Sequence, residues 1–155
     1  MTLMDGNLDD LEIKIVQALQ KDARKSFKSI AADLDVSEGT ISNRVNRLIQ
    51  KDILRLEARI NPFNLTNKVA ALLGVNLDRR SHNEAVREIK KLSNVNAVWV
   101  TTGKYDIFVE VLADSINDLN DFIFSGGLSK IENITSTETH IMLHSDTKFF
   151  KIREG

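Results

Sequence analysis

One stretch of the sequence carries amide and guanidinium side chains at helical spacing. Thr40, Asn43, Asn46 and Arg47 would lie on one side of a helix, with Arg44 at its flank. An arginine fork can bond O6 and N7 of guanine, and an asparagine amide can bond N6 and N7 of adenine. No acidic residue interrupts this side. The pattern is therefore typical of a helix that enters the major groove of duplex DNA.

A helix from Glu38 to Lys51 would position these groups, because its opposite side is apolar. Ser37 is a suitable N-cap, and the carboxylate of Glu38 suits the positive end of the helix dipole. The apolar stripe that must face a core consists of Ile41, Val45, Leu48 and Ile49.

A shorter helix and a tight turn precede this helix. Its apolar positions repeat at three and four residues: Phe27, Ile30, Ala31 and Leu34. Val36 then closes the corner between the two helices. The pair is a candidate helix-turn-helix, although any small helical bundle also has amphipathic helices joined by a capped turn.

Charge is distributed unevenly along the chain. Residues 24 to 59 hold eight basic and five acidic side chains, a net +3, whereas residues 1 to 23 hold two basic and five acidic ones, a net −3. A basic surface on the helix pair can neutralise DNA phosphates, although a dipolar surface without a partner is also common. The expected DNA-binding residues are Lys25, Lys28, Ser37, Thr40, Asn43, Arg44, Asn46, Arg47 and Lys51.

The chain of 155 residues has a formal net charge of −1, with 42% hydrophobic residues, 28% charged residues and no cysteine. Those proportions are ordinary for a folded globular protein. The lack of cysteine excludes disulfides, thiolate nucleophiles and cysteine metal sites, which suits the cytoplasm. We find no signal peptide and no stretch of about 20 apolar residues, so we expect a cytoplasmic protein that does not enter a membrane.

A first helix is predicted from Leu8 to Asp22, capped by Asn7 or Asp9. Its main apolar stripe is Leu8, Leu11, Ile15, Ala18 and Leu19. Ile13 and Val16 fall away from that stripe, so we expect a second apolar side to meet a partner chain.

The segment after the third helix predicts a strand and a hinge. Ile53 to Ile60 alternates apolar and charged residues, which indicates a half-buried strand. Pro62, the single proline, restricts the residue before it to extended conformations. Asn61 to Asn67 is therefore the expected hinge between two domains.

The second half of the sequence predicts elements in the order β-α-β-β-α-β. The predicted elements are strands at Val69–Leu77, Ala97–Thr102, Ile107–Leu112 and Ile134–Leu143, a helix at Asn83–Leu92, and a helix with Ile116, Leu119 and Ile123 on one side. This order is typical of a ferredoxin-like sandwich, which makes the whole chain an α+β protein. Its sheet leaves a face or an edge free, so we expect a homodimer. The predicted division is a helix-turn-helix domain at 1–53, a strand and hinge at 54–68, and a ferredoxin-like domain at 69–155.

Together these features resemble the Lrp/AsnC family of transcriptional regulators over nearly the whole chain. The order and spacing of four segments carry the resemblance: LDDLEIKIVQALQKDARKSFKSIAADLDVSEGTISNRVNRLIQKDIL, INP, TTGKYDI and TSTETHIML. The resemblance implies a (winged) helix-turn-helix domain that binds specific sequences of double-stranded DNA. It also implies dimers that commonly assemble into octamers, and a C-terminal domain that senses a small effector, usually an amino acid.

The sequence departs from the family pattern at two places. Asp35 stands where the family usually has glycine, and aspartate tolerates the left-handed backbone that this turn often needs, so we expect the turn to survive. Glu132 and Asn133 replace a frequent Pro-Gly before the last strand, and Gly126–Gly127 loosens the end of the preceding helix. Since this region helps to line the family's ligand site, the identity of the effector stays open.

The TTGKYD turn is the expected effector site. Gly103 admits a ligand close to the backbone, Asp106 could hold an ammonium group, and Tyr105 offers a hydroxyl and an apolar ring. The family places its effector at this turn, between adjoining dimers, with threonines from a neighbouring subunit's last strand. The expected set is therefore Thr101, Gly103, Tyr105, Asp106, Thr137 and Thr139. Without the resemblance, the same turn is also an ordinary hairpin.

Two other functions fit parts of the sequence. Ferredoxin-like folds also occur in enzymes, but His140 lies on the predicted last strand and His144 directly follows it. Four residues of strand cover roughly 13 Å, so these histidines cannot share one metal ion within a chain. His82 stands alone in a charged loop, and we recognise no nucleophile elbow, phosphate loop or carboxylate pair, so we expect no catalysis, metal or cofactor. An architectural DNA-binding protein would use the same basic helices without a ligand and would bind most duplexes about equally.

Overall fold

The computed structural model describes residues 8–78 and 82–152, and the chain divides into two compact units, 1–57 and 58–155. The first, called here the helical unit, contains α1 (Asp10–Lys21), α2 (Phe27–Asp33) and α3 (Glu38–Gln50). The second, the sheet unit, contains β1 (Val69–Leu77), α4 (His82–Ile89), β2 (Val95–Val100), β3 (Ile107–Ala113), α5 (Ile116–Phe124) and β4 (Ile134–Ile141), with short 3-10 turns at Pro62–Asn64 and Leu128–Lys130. Across these described residues, no helix combines the length and the apolar character needed to cross a bilayer.

Apolar side chains from all three helices form the core of the helical unit. Ile15, Ile30 and Ile41 are fully buried, and Leu48 is 1% exposed. The predicted stripe of α3 is wrong at Ile49, which is 42% exposed. At about 100° per residue, Ile49 lies roughly 80° from Ile41, at the margin of the stripe rather than at its centre.

A capping box fixes the start of α1. The Asp9 carboxylate accepts from the backbone N–H of Glu12 at 2.8 Å, and the Glu12 carboxylate accepts from the backbone N–H of Asp9 at 3.1 Å. The helix therefore begins at Asp10, two residues after the predicted start, while Asn7 lies outside the described residues. Ile13, on the predicted second apolar side, is 41% exposed.

The turn between α2 and α3 needs one residue with a left-handed backbone. Asp35 takes that place with φ 53°, and the N–H of Val36 then donates to the carbonyl of Ala31 at 3.0 Å. The expectation that aspartate would support this turn is confirmed.

The strand predicted at Ile53–Ile60 does not form, and the described part of the helical unit has no wing strand. Leu56 is 46% exposed. Within this segment, which is described in full, Ile60 alone forms a β-bridge, and its partner is Phe150. An alternating pattern becomes a strand only where a neighbour satisfies its N–H and C=O groups. At the predicted hinge, the Asn61 side chain accepts from the N–H of Phe63 and starts a 3-10 turn.

The sheet unit has the predicted order of strands and helices. Its four strands are antiparallel in the spatial order β2-β3-β1-β4, and helices α4 and α5 cover one face. The bounds of β1 are as predicted, whereas β2 begins two residues early, at Val95, and β4 ends two residues early, at Ile141. The buried core of this face includes Leu73, Val75, Ile107 and Val109.

The segment after β4 covers part of the other face of the sheet. Phe150 is fully buried, and Asn96 holds Lys151 through two hydrogen bonds between its amide and the backbone. Lys148 lies 3.1 Å from the carboxylate of Glu110, which is 2% exposed. The sequence pattern did not predict this return of the chain.

Candidate DNA-binding and effector sites

The N-terminus of α3 is closed by the predicted cap. The Ser37 hydroxyl accepts from the backbone N–H of Thr40 at 3.1 Å and lies 2.8 Å from the Thr40 hydroxyl. This confirms Ser37 as the N-cap. Both hydroxyls are engaged within the helix, and their contact with DNA stays a prediction.

The side of α3 opposite its core is a row of amides. Asn43, Asn46 and Gln50 are exposed, and exposed Gly39 starts the same row at positions i, i+4, i+7 and i+11. We call these four residues the amide stripe. Sequence reasoning missed Gln50 and Gly39, although their spacing was already visible in the sequence.

The two arginines of α3 are bound by α1. Arg47 donates to the carboxylate of Glu12, and Arg44 donates to that of Asp9 while its Nη1 lies 3.8 Å from Glu12 Oε1. The side chain of Glu12 is only 4% exposed. The hydrogen bond from Arg47 lowers the pKa of Glu12 below its ordinary value of 4.5.

These contacts change the expected charge distribution. Three of the eight basic residues in segment 24–59, Arg24, Arg44 and Arg47, make ion pairs with acidic residues of segment 1–23, so the basic surface is less free than the sequence indicated. The signal that was missed is the spacing of Asp9 and Glu12, which is that of a capping box and turns a carboxylate toward the helix start.

The lysines of the predicted DNA-binding set differ in their surroundings. Lys25 makes an ion pair with Asp33, whereas Lys28 and Lys51 are exposed. Exposed lysine side chains can bind backbone phosphates of DNA without first breaking an ion pair within the protein.

The predicted effector hairpin connects β2 and β3. Gly103 has φ 113°, a left-handed value that the turn requires and that favours glycine. Thr101 closes the hairpin, because its N–H donates to the carbonyl of Asp106 and its hydroxyl to that of Tyr105, both at 2.9 Å. Thr101 is therefore engaged in the turn itself.

The ring of Tyr105 packs over β1. A Cβ added at Gly74 would lie 2.6 Å from the Tyr105 ring, so the absence of a side chain at Gly74 makes room for it. The Tyr105 hydroxyl donates to the carboxylate of Glu138 on β4, which also binds Lys104. Those two contacts, first from Lys104 and then from Tyr105, lower the pKa of Glu138.

The carboxylate of Asp106 has partners within the chain. It accepts from the backbone N–H of Leu77 at 2.8 Å and lies 3.4 Å from Nε2 of His82, at the start of α4. The bond from Leu77, followed by that from His82, lowers the pKa of Asp106. The carboxylate is therefore held ionised and oriented, in the form that could accept an ammonium group.

Within one chain, Thr137 and Thr139 do not lie beside the residues of the effector hairpin. They pair across β1 with Val75 and Leu73, so they lie on the sheet face that the helices cover, whereas Glu138 between them lies on the opposite face with Tyr105. Thr137 borders a groove of about 200 Å³ whose lining includes Ile123, Leu128 and Ile134. The structure of one chain brings together only the hairpin half of the predicted site.

Two family models match the chain. Residues 8–49 match the AsnC-type helix-turn-helix domain, and residues 70–148 match the Lrp/AsnC ligand binding domain. An uncharacterized HTH-type transcriptional regulator of Pyrococcus furiosus is 35% identical over 136 residues, which cover 87% of this chain and 91% of that protein.

Solved structures also resemble the chain over most of its length. E. coli AsnC is 29% identical, with a TM-score of 0.70, over 92% of this chain and 97% of its own. A transcriptional regulator of Neisseria meningitidis in complex with L-Met shares the fold at 18% identity, with a TM-score of 0.69, over 92% of this chain and 94% of its own.

Proposed function

Because the chain belongs to the Lrp/AsnC family of helix-turn-helix transcriptional regulators, we propose that it binds specific DNA sequences through α3 and responds to a small effector at the hairpin of residues 101–106. The structure of α3 is the observation that supports DNA binding. One side of it is buried, its start is capped by Ser37, and the other side exposes amides. Those amides can bond the base edges of the major groove, while Lys28 and Lys51 contact phosphates.

We propose a homodimer that assembles further, to the octamer that the family resemblance implies. Apolar residues at the ends of both edge strands support self-association, since Val100 of β2 is 59% exposed and Leu143 beyond β4 is 88% exposed. In a two-fold dimer the paired α3 helices enter successive major grooves. The half-sites then lie one helical turn, or a multiple of it, apart.

An amino acid is the effector class that the hairpin supports best. Asp106 presents an ionised carboxylate for an ammonium group, and Lys104 presents a cation for a carboxylate. The complex of the Neisseria meningitidis regulator with L-Met supports the same class. Thr137 and Thr139 would come from a neighbouring subunit, which makes the site dependent on assembly.

The effector would act by shifting the assembly state or the spacing of the paired helices. A ligand changes DNA binding only if it binds the two states with different affinity. A site that is completed by a neighbouring subunit meets this requirement, because the separated dimer lacks part of it.

The test is selection of bound duplexes from a random-sequence pool, followed by light scattering with each common amino acid, L-methionine first. An enriched two-fold motif and a ligand-dependent change in mass support the proposal. Binding without any enrichment would favour an architectural protein. Absence of binding would exclude the DNA-binding role.

A further inference from the structure

Building on the proposed function, we infer that bases are read by the amide stripe, with Asn43, Asn46 and Gln50 as the reading residues and Gly39 as the point of closest approach of the DNA. Arg44 and Arg47 are positioning residues that fix α3 against α1. This assignment differs from the expectation, drawn from residue type alone, that Arg47 reads guanine.

The geometry of α3 separates the two groups. Measured from the centre of its buried side, the amide stripe lies on the far side of the helix, whereas Arg44 and Arg47 lie on the flank that faces α1. A helix seated in a groove presents the side opposite its core to the base edges. Asn43, Asn46 and Gln50 therefore reach the bases while the arginines stay on the flank.

The contacts of Glu12 explain why Arg47 stays in place. Both carboxylate oxygens of Glu12 are used, Oε1 by Arg47 and Oε2 by the backbone N–H of Asp9 at 3.1 Å. Turning Arg47 toward a base would leave Oε1 of this nearly buried carboxylate with only the more distant Arg44, 3.8 Å away, while Oε2 keeps the N–H of Asp9. Leaving a buried charge without its partner is costly, so DNA binding does not recruit this side chain.

Gly39 points to the same surface independently. A Cβ at this position would meet only the Ser37 hydroxyl, at 3.8 Å, so no close contact within the described chain requires glycine there. Exposed glycine is unfavourable in a helix compared with alanine. A partner that approaches the backbone closely explains the residue, and it lies one turn before Asn43 on the same stripe.

Asparagine and glutamine amides bond N6 and N7 of adenine in a bidentate manner. The motif is therefore expected to contain adenines at the positions that the stripe reads. Each such contact discriminates against a wrong base by roughly 5-fold to 150-fold.

The experiment compares full-length variants by selection from a random duplex pool and by titration of the enriched duplex against a scrambled one. The amide variant carries Asn43→Ala, Asn46→Ala and Gln50→Ala. Its matched control carries Gln17→Ala and Gln20→Ala, two exposed amides of α1. Circular dichroism verifies folding, which alanine on an exposed helical side does not weaken.

The amide variant should lose the motif and bind both duplexes equally, whereas the α1 control should retain the motif. Arg47→Lys should also retain it, because lysine keeps a cation beside Glu12 but lacks the fork that bonds guanine. Gly39→Ala should fold normally and weaken binding to every duplex. A folded amide variant that keeps the motif, or an Arg47→Lys variant that loses one base of it, would overturn the assignment.

The two proposals fail in different ways. If the wild type enriches no motif, both the proposed function and the amide assignment fall. If the wild type enriches a motif that the amide variant keeps, the regulator remains and only the assignment of reading residues is overturned.

Discussion

In each unit, one carboxylate binds a side chain that the sequence predicted to contact a ligand, Arg47 in the helical unit and Tyr105 in the sheet unit. In the helical unit Glu12 binds Arg47, and in the sheet unit Glu138 binds Tyr105 and Lys104. The side chain of Glu12 is 4% exposed, whereas that of Glu138 is 46% exposed. The first contact joins a nearly buried carboxylate to a half-exposed guanidinium, whereas the carboxylate and the ammonium of the second are both exposed to water.

This difference in burial predicts a difference in role. A nearly buried carboxylate has little access to water that could replace its partner, so the Glu12 contact holds α3 against α1. An exposed ion pair contributes little to folding and can be exchanged for a ligand at small cost. Tyr105 and Lys104 are therefore available to an effector, whereas Arg47 is not available to a base.

The largest expected effect comes from Glu12→Ala. It leaves the N–H of Asp9 and the guanidinium of Arg47 without their acceptor, and should lower the free energy of unfolding by about 1–3 kcal/mol. The figure stays below that for a wholly buried pair, because Arg47 is half exposed. Urea denaturation followed by far-UV circular dichroism measures it, with Glu38→Ala, at an exposed glutamate in the first turn of α3, as control.

The same contact sets a dependence on pH. The folded chain holds the pKa of Glu12 below 4.5, so its contribution to stability is present above pH 4.5 and is lost as the pH falls below that value. Glu12→Gln should flatten this part of the stability profile. An unchanged acid limb in that variant would show that Glu12 is not the buried, paired group described above.

A smaller effect is expected at Gly74 in the sheet unit. Its Cβ in Gly74→Ala would come within 2.6 Å of the Tyr105 ring, which must then move away from β1. Because the ring lies at a hairpin and can shift, the loss should be about 1 kcal/mol, at the low end for overpacking. The fluorescence of Trp99, the single tryptophan, reports unfolding of this unit. In a Tyr105→Ala background, which lacks the ring atoms that the new Cβ would meet, Gly74→Ala should cause almost no further loss.

Features that depend on neighbouring residues in the chain could be predicted from the sequence. The Ser37 cap, the left-handed turn at Asp35 and the bounds of β1 each follow from a few consecutive side chains. Buried positions of α3 follow from a helical repeat of the same kind. These predictions need no knowledge of what lies across the fold.

Contacts between distant segments could not be predicted in the same way. Glu12 and Arg47 are separated by 35 positions, and although the spacing of Asp9 and Glu12 indicates a capping box, no local pattern identifies Arg47 as the partner. The face on which Thr137 lies depends on the register of β4 against β1, since a shift by one residue would reverse it. No strand of the described chain pairs with the segment Ile53–Ile60, so the strand predicted from its alternating residues was wrong.

The smallest expected effect on folding is that of Glu138→Ala, the counterpart of Glu12→Ala. Since the lost contacts are exposed, the Trp99 unfolding midpoint should not change measurably. The near-UV circular dichroism of Tyr105, the single tyrosine, should change because its hydroxyl loses its acceptor. A fall in stability as large as that of Glu12→Ala would make both carboxylates structural, and it would remove the argument that the hairpin side chains can be exchanged for an effector.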